Sequence, residues 1–231
     1  MISILIPMRD EEKNIESLVH KILKIFPDNS ADDHEIIIID DNSIDSTGTI
    51  ADRLSDRHPS IKVIHRESDP GVGHALKEGF SVAKGDIIIT LDGDLSHDPE
   101  EIPRLLEHIY SGADLVIGSR YMEDGNYDMT AGRACLSRAY NLLARAIFRA
   151  GIHDFTSGFR ALKKGVAESI SLSSNDFAIH PEIHIKAIKK GFRVVEVPIT
   201  YHYRHGGKSK LKYKENLKYL RVVLQNIFQR D

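Results

Sequence analysis

The sequence has little cysteine and no long apolar run, and both shortages restrict the class of protein it can be. Its 231 residues contain one cysteine, Cys135, which excludes a disulfide within the chain and a zinc site built from cysteines. This composition fits a reducing cytoplasm. No segment reaches the roughly 18 consecutive apolar residues of a membrane-spanning helix. The start, MISILIPMRD, lacks the features of a signal peptide, so we expect neither a spanning segment nor a leader.

An excess of charge of one sign and linker-type composition are also missing. The formal net charge is −3, which gives no reason to expect nucleic acid as a partner. No stretch rich in Pro, Gly and Ser divides the chain, and no internal repeat is present. A hydrophobic content of 41% and a charged content of 28% are ordinary for a globular protein that buries a core. We therefore expect one α/β catalytic domain over residues 1–205, followed by a short basic amphipathic segment over residues 206–231.

Short β-branched runs alternate with helical patterns from the start of the chain to Leu91. Such alternation is typical of a parallel sheet with right-handed crossovers. The predicted strands cover residues 2–6, 36–39, 63–64, 87–91, 115–117 and 194–197. The stretch 154–160 is interpreted as a loop with two aromatic residues.

Turn-forming and acidic residues follow three of these strands, at Pro7, at Asp40 and Asp41, and at Asp92 and Asp94. The carboxyl ends of parallel strands meet at one edge of a sheet, which is where open α/β sheets bind ligands. Two carboxylates spaced in this way can share one Mg²⁺ together with substrate phosphates. Taken alone, the Asp-x-Asp pair is equally explained as a solvated turn, but several acidic strand ends together favour a ligand site.

Two familiar phosphate-binding patterns are missing. Gly71 and Gly73 do not form a G-x-G-x-x-G after the first strand, and the chain has no G-x-x-x-x-G-K-[ST]. Their absence disfavours nicotinamide chemistry and P-loop hydrolysis.

Basic residues concentrate in two places. The helix predicted over residues 129–150 carries several arginines, and on it Arg133 shares a face with Ser137. From Arg204 to the end, eight Lys and Arg residues oppose Glu215 and Asp231, for a net charge of +6. Apolar residues follow helical spacing in that segment, at Leu217, Leu220, Leu224, Ile227 and Phe228. Such a helix either binds a membrane surface or partner, or packs on the core of its own domain.

Taken in order, the motifs resemble those of the inverting family 2 glycosyltransferases, most of all the polyprenyl-phosphate (dolichol-phosphate) mannose synthases. The resemblance runs from about residue 2 to about residue 220. It is carried by Pro7, Glu11, Asn14, residues 40–43, Asp45, Thr47, Gly71, Ala75, residues 92–95, Pro99, Glu100, and residues 118–121, 157–160 and 208–210.

The resemblance implies a GT-A glycosyltransferase fold, a mainly parallel sheet flanked by helices, here with a basic amphipathic C-terminal helix. It implies a donor site for a nucleotide sugar formed by Pro7, Arg9, Glu11, Asp40, Asp41, Gly71 and Asp92. It implies Mg²⁺ or Mn²⁺ held by Asp92 and Asp94, with Ser96 as a further candidate. It implies an acceptor-phosphate site formed by Arg120, Arg133, Ser137 and Arg204. Among these, the catalytic set is Asp94, Arg133 and Arg204.

Two residues depart from the pattern of the family. Arg9 stands where an aromatic residue is usual, although a guanidinium group can also stack on a base. Ser96 stands where Gln is frequent, and its hydroxyl can ligate a metal or hold a water. In addition, many relatives carry transmembrane helices after the catalytic domain, and this chain shows none.

The activity implied is transfer of a hexose, mannose from GDP-mannose, onto a polyprenyl or dolichyl phosphate at the cytoplasmic face of the membrane. An acceptor phosphate is already an anion, so no strong base is expected, and His97 is interpreted as an exposed turn residue. One alternative is a UDP-sugar donor such as UDP-glucose. Another is a glycan or protein hydroxyl acceptor with Asp94 or Asp154 as the base. A third is a non-catalytic partner subunit on the same fold. The enzyme is expected to dock peripherally, on the membrane surface or on a small membrane partner.

Overall fold

The structure is a computed structural model that describes residues 1–28, 33–122, 126–127, 131–202 and 214–228. Within these ranges, residues 126–127, 131–136, 214–217 and 227–228 are described by their backbone alone.

Strands and helices alternate along the described chain, as the sequence predicts. The first half contains β1 (Ile2–Met8), α1 (Ile15–Ile25), β2 (His34–Asp41), α2 (Thr47–Arg57), β3 (Ile61–Arg66), α3 (Val72–Val82), β4 (Ile87–Thr90), a 3₁₀ turn (Pro99–Glu101) and α4 (Ile102–Tyr110). The second half contains β5 (Leu115–Ser119), β6 (Asn126–Tyr127), α5 (Ala131–Phe148), β7 (Arg160–Lys163), α6 (Lys164–Ser169), α7 (Ile179–Lys189), β8 (Val194–Pro198), β9 (Thr200–Tyr201) and α8 (Lys214–Phe228).

Seven strands form one mainly parallel sheet in the order β3-β2-β1-β4-β7-β5-β8. The exception is β7, which runs antiparallel to both β4 and β5. The loop prediction for residues 154–160 was wrong at Arg160, which begins this strand. With the sequence RALK, β7 is short and has a charged residue at each end, so it gives no apolar run and no alternation to detect.

Helices cover both faces of the sheet, so the core has two layers. Ile4 and Ile6 of β1 point to the layer containing α1, α2 and α4, whereas Leu5 points to the layer containing α3, α5, α7 and α8. In β2, residues 36–39 are inaccessible to solvent on both sides, as expected of a strand buried on both faces.

The described part of α8 packs against α5 and α7. Tyr219, Val222 and Val223 are buried in the second layer, with Tyr219 at 5.5 Å from Tyr140 between ring centroids. Packing on the domain, one of the two interpretations left open for this helix, therefore accounts for one face of it. Leu220, from the predicted apolar stripe, instead reaches solvent, as does Leu224.

The carboxyl ends of β1, β2, β3 and β4 meet at one edge of the sheet. Met8 pairs with Asp40, Asp41 pairs with Arg66, and β4 ends beside β1. The ends of the first, second and fourth strands therefore lie side by side, as the sequence predicts. None of the helices in the described ranges is long and apolar enough to cross a membrane.

Candidate active site

The loops after β1 and β2 are joined by hydrogen bonds between side chains and backbone. The backbone N–H of Asp10 donates to Ser43 Oγ at 2.9 Å, and Asp10 Oδ1 accepts from the N–H of Ile44 at 2.9 Å. The N–H of Glu12 donates to Asp45 Oδ2 at 3.2 Å. These bonds fix the two loops together as one wall of the site.

Two predicted donor residues of this wall face in different directions. Glu11 is buried. Its N–H donates to Thr47 Oγ1, and its carboxylate accepts from Asn14 Nδ2, both at 2.8 Å. The Arg9 side chain is 40% exposed, with Nε at 3.8 Å from Asp10 Oδ2. Of the two, Arg9 is therefore the one that a ligand lying on this wall could contact.

Asp40 is buried beneath the wall and held from several sides. It accepts a hydrogen bond from the N–H of Ser43 at 3.1 Å. His65 joins it to Asp52, with Nδ1 at 3.2 Å from Asp40 and Nε2 at 2.9 Å from Asp52. The hydrogen bond to Asp52, aided by that to Asp40, raises the pKa of His65 above its usual 6.5. A Cβ on Gly48 would lie 2.6 Å from Asp40 Oδ2, so a side chain there would displace the Asp40 carboxylate.

Asp41 connects β2 to the start of α3. Its carboxylate pairs with Arg66 and accepts a hydrogen bond from the N–H of Gly71 at 2.6 Å. Arg66 also binds Glu78, with Nε at 2.9 Å from Oε2. Asp41 and Gly71, both predicted donor residues, are thus in direct contact.

The pair of glycines at the start of α3 permits a close approach of backbone. The N–H of Gly73 donates to the carbonyl oxygen of Asn175 at 3.1 Å. A Cβ on Gly73 would lie 2.5 Å from the Asn175 carbonyl carbon, and one on Gly71 would collide with its oxygen. The loop before α7 therefore sits directly on the N-terminus of α3.

Asp92 and Asp94 follow β4, and both are partly exposed. Asp94 Oδ1 accepts from the N–H of Ser96 at 3.1 Å and from its hydroxyl at 2.5 Å. Asp92 lies against Gly158, where a Cβ would be 3.0 Å from Asp92 Oδ1. Thr90 Oγ1 donates to the Gly158 carbonyl at 2.7 Å, which fixes this neighbour. As placed, Ser96 orients Asp94, and its part as a metal ligand stays a prediction.

The chemistry of this pair fits a hard divalent cation. Carboxylate oxygens are the ligands that Mg²⁺ prefers, and it commonly takes one or two of them together with substrate phosphates. The described residues contain no group of three or more His, Cys, Asp or Glu side chains that could hold a metal ion. By their chemistry, Asp92 and Asp94 therefore fit the predicted metal role.

The prediction that His97 is an exposed turn residue was wrong, because its relative exposure is 1%. Its ring stacks on Phe159 at 5.3 Å and meets the edge of Tyr201 at 5.3 Å. Burial lowers the pKa of His97 to about 4. His97 is buried because its main chain pairs with that of Tyr201, about a hundred residues later. No local pattern reveals such a pairing.

Arg120 and Asp154 form a buried bidentate ion pair. Arg120 Nε and Nη2 donate to the two carboxylate oxygens at 2.7 and 2.8 Å. Burial alone would raise the pKa of Asp154, but the charge and hydrogen bonds of Arg120 outweigh it and lower that pKa. The guanidinium also binds Thr156 Oγ1 at 2.7 Å and lies 5.2 Å from the Tyr201 ring centroid. Asp154 has no exposed surface, so it is unsuited to act as a base on an acceptor.

The remaining predicted acceptor residues are only partly placed. Ser137 is half-buried on α5. Arg133 lies on the same helix, and its side chain is outside the described part. Arg204 and the lysines from Lys208 to Lys212 lie outside the described residues. The structure therefore brings the predicted donor and metal residues to one edge and places the predicted acceptor residues only in part.

Several residues around the site were assigned no role from the sequence. They are His65, Arg66, Gly48, Asn175, Tyr201 and Arg160. The first two end β3 at the ligand edge, so the strand-end argument applied to Asp40 would have found them. Arg160 is fully buried, donates to the carbonyls of Ser157 and His180 at 3.0 and 3.5 Å, and also contacts the His180 ring.

Residues 3–171 match the family model described as glycosyl transferase family 2. The chain belongs to this family. It is 39% identical over 227 residues to a dolichol-phosphate mannosyltransferase of Pyrococcus furiosus, covering 96% of this chain and 62% of that protein. It is 38% identical to a polyprenol monophosphomannose synthase of Mycolicibacterium smegmatis, covering 90% and 80%. An undecaprenyl-phosphate mannosyltransferase of Micrococcus luteus is 32% identical, with 90% and 86% covered.

Solved structures of another glycosyl-transferring enzyme share the fold. Glucosyl-3-phosphoglycerate synthase of Mycobacterium tuberculosis, in complex with Mn²⁺, UDP and glucosyl-3-phosphoglycerate, superposes with a TM-score of 0.77. The match covers 100% of this chain and 81% of that one at 21% identity. The family 2 chain therefore has the GT-A fold that the sequence predicts.

Proposed function

We propose that this family 2 glycosyltransferase moves mannose from GDP-mannose onto the phosphate of a polyprenyl lipid. The observation that carries the proposal is the agreement of three relatives, 32–39% identical over at least 90% of this chain, whose names all specify a polyprenyl-type or dolichol lipid and mannose. The chain spans 62% of the length of the archaeal relative, so the activity of the whole protein is part of this proposal.

The nucleotide of the donor lies along the wall formed after β1 and β2. Pro7 is the half-buried residue next to the carboxyl end of β1, and Arg9 presents its guanidinium group for stacking on a base. Asp41 and Gly71 are in contact at the end of β2. There they form the side of the site that faces the base and ribose. A UDP-sugar such as UDP-glucose is the alternative donor.

The reaction is one direct displacement that inverts the anomeric carbon. An oxygen of the lipid phosphate attacks C1 of the sugar, and the nucleoside diphosphate leaves. Asp92 and Asp94 would hold Mg²⁺ or Mn²⁺, which neutralises the charge that develops on the leaving diphosphate. Arg133 and Arg204 bind the acceptor phosphate, with Arg120 and Ser137 completing that site, and position it for attack.

No base has to remove a proton from an acceptor that is already an anion. A glycan hydroxyl acceptor would need one, and Asp154 is held in a fully buried ion pair with Arg120. Asp94 alone would remain for that role, while Ser96 already donates two hydrogen bonds to it. The geometry therefore favours a phosphate acceptor over a hydroxyl. Asp92, Asp94 and Arg120 also argue against a non-catalytic partner subunit.

The acceptor stays in a membrane, so we propose that the enzyme docks peripherally at the cytoplasmic face. Leu220 and Leu224 of α8 are 36% and 48% exposed, and Leu142 of the neighbouring α5 is 68% exposed. Arg221 lies between Leu220 and Leu224 in the sequence of α8 and is exposed. Apolar and basic side chains on one surface are typical of interfacial helices. The basic segment from residue 206 onward would add to this surface.

The acceptor site is tested with a water-soluble short-chain polyprenyl phosphate and GDP-mannose. We expect transfer to the phosphate and none to the corresponding polyprenol. Arg133→Ala should raise the acceptor KM at least tenfold and leave the donor KM unchanged, because about 1.5–3 kcal/mol is typical of a hydrogen bond to a charged group. Arg133→Lys should recover only part of the loss, since the bidentate fork is gone. Initial rates over a matrix of both substrates measure this.

Arg145→Ala is the matched control, since Arg145 is an exposed arginine on the same helix. It should leave both KM values unchanged with a soluble acceptor. A weakened donor with an unchanged acceptor in Arg133→Ala would contradict the assignment. Faster turnover of UDP-glucose than of GDP-mannose would show that the donor is UDP-glucose and not GDP-mannose.

Docking is tested by co-sedimentation with vesicles. Binding should require anionic lipid, weaken with salt, and fall sharply when Lys208, Lys210, Lys212 and Lys214 are changed to Gln. Each basic residue near an anionic surface contributes about 1 kcal/mol. The control changes four exposed lysines elsewhere, Lys13, Lys24, Lys84 and Lys190. Equal binding to neutral and anionic vesicles would show that docking has another cause.

A further inference from the structure

We propose that His97 is a positioning residue that orients the Asp92 carboxylate for the metal through a hydrogen bond from its Nδ1–H. The inference rests on the metal role proposed above for Asp92. It adds a residue that neither the sequence nor the names of the relatives assign to the site.

The geometry points the imidazole at the carboxylate. His97 Nδ1 lies 3.7 Å from Asp92 Oδ2. Rotation of the partly exposed Asp92 side chain that moves this oxygen by about 0.5–1 Å brings the two atoms to hydrogen-bond distance. Nδ1 is buried and has no hydrogen-bond partner among the described residues. A buried donor left in that state is costly, and the Asp92 oxygen is an acceptor within reach.

The ring is held firmly in that direction. Phe159 stacks on one face at an interplanar angle of 28°, and Tyr201 meets it edge-on at 71°. The backbone of His97 forms a bridge with Tyr201, and the N–H of His202 donates to the Ser96 carbonyl at 2.9 Å. The imidazole therefore cannot turn away from Asp92 without breaking this packing.

The chemistry of the ring suits the role. A neutral imidazole has one N–H to donate, and Nδ1 is the ring nitrogen that faces Asp92. A neutral donor orients Asp92 and leaves its negative charge available for a cation. Carboxylates that bind metals are commonly held by hydrogen bonds of this kind.

A structural role for the ring, as filling between Phe159 and Tyr201, predicts different behaviour, and two variants separate the roles. His97→Asn keeps an N–H donor near the position of Nδ1 and removes the ring. His97→Phe keeps a ring between its two aromatic neighbours and removes the donor. Positioning by the hydrogen bond requires that the Asn variant resemble the wild type and that the Phe variant differ from it.

The readout is Mn²⁺ affinity, measured by electron paramagnetic resonance of free Mn²⁺ with saturating GDP and no acceptor. We expect His97→Phe to weaken Mn²⁺ binding about 10–100-fold, the range typical of partners that orient metal ligands, and His97→Asn to stay within about threefold of wild type. Thermal unfolding identifies the variants that fold. Wild-type affinity in His97→Phe, or an equal loss in both variants, overturns the inference.

A measurement on the wild type does not depend on the folding of any variant. Nitrogen-15 NMR of the histidines, with Mg²⁺ and GDP bound, should show His97 as the Nδ1–H tautomer at pH 7. The Nε2–H tautomer or an imidazolium overturns the inference. Asp92→Asn separates this failure from that of the proposed function. Unchanged Mn²⁺ affinity in Asp92→Asn refutes the metal role itself, whereas loss there with no loss in His97→Phe refutes only the role of His97.

Discussion

Replacing Asp92 or Asp94 by Asn is expected to abolish transfer while the fold is retained. Both side chains are partly exposed at the end of β4, so neither amide has to be buried in the core. An Asn at position 94 can still accept the hydrogen bonds that Ser96 donates. What is lost is the negative charge that we propose holds a divalent cation on the leaving diphosphate. A loss of about 4 kcal/mol of transition-state stabilisation lowers kcat/KM about 10³-fold.

The measurement is the initial rate of each variant with added Mg²⁺ or Mn²⁺, and of wild type in EDTA before and after metal is restored. Asp98→Asn is the matched control, because Asp98 lies in the same turn but binds Lys21 at 3.2 Å and the N–H of Glu100 at 3.3 Å. It should retain wild-type activity. Full activity of wild type in EDTA would remove the metal from the mechanism.

The clustering of the proposed donor residues could be predicted because it depends on strand ends. β1, β2 and β4 are apolar runs that the local sequence identifies, and parallel strands necessarily bring their carboxyl ends together. Pro7, Asp40, Asp41, Asp92 and Asp94 were found in this way without knowledge of any contact between them. The same logic reaches Arg66, which ends β3 directly opposite Asp41.

What could not be predicted comes from segments far apart in the chain. Gly158 closes on Asp92 because β7 inserts antiparallel between β4 and β5. Asn175 reaches the start of α3 from a loop about a hundred residues later. His97 is buried because Tyr201 pairs with it. None of these contacts leaves a periodicity or a motif, so each emerges only from the tertiary structure.

The two layers of the core also contain features that the sequence predicts and features that it does not. Alternation in β1 separates Ile4 from Leu5, and the structure sends them to opposite layers. Helical spacing in α8 identified Leu220 and Leu224, yet the residues that reach the core are Tyr219, Val222 and Val223. Periodicity indicates that a helix is amphipathic, and the face that packs is decided by its neighbours α5 and α7.

Asp154→Asn is expected to destabilise the fold more than any surface substitution. Asp154 is fully buried, and both of its oxygens accept from Arg120, which is itself buried. The amide leaves the guanidinium charge without its counter-ion, and breaking a buried pair in this way costs about 3–5 kcal/mol. Chemical denaturation at pH 7 measures the loss in the free energy of unfolding.

The loss should depend on pH in a defined direction. Arg120 holds the pKa of Asp154 below its usual 3.8 in the folded protein. The stabilisation from this carboxylate is therefore fully present above pH 3.8 and is lost as the pH falls through the folded value. The difference between wild type and Asp154→Asn should be constant from pH 7 to about pH 5 and shrink at lower pH.

A double-mutant cycle with Arg120→Met assigns the loss to the ion pair. The double variant carries no unpaired buried charge, so its free energy of unfolding should lie well above that expected from adding the two single losses. Strict additivity would show that the two residues stabilise the fold independently. Because Arg120 also lies against Tyr201 at 5.2 Å, and Tyr201 packs on His97 beside Asp92, the same pair supports the structure behind the metal site. Asp154→Asn should consequently weaken Mn²⁺ binding as well, although Asp154 touches neither carboxylate of the metal pair.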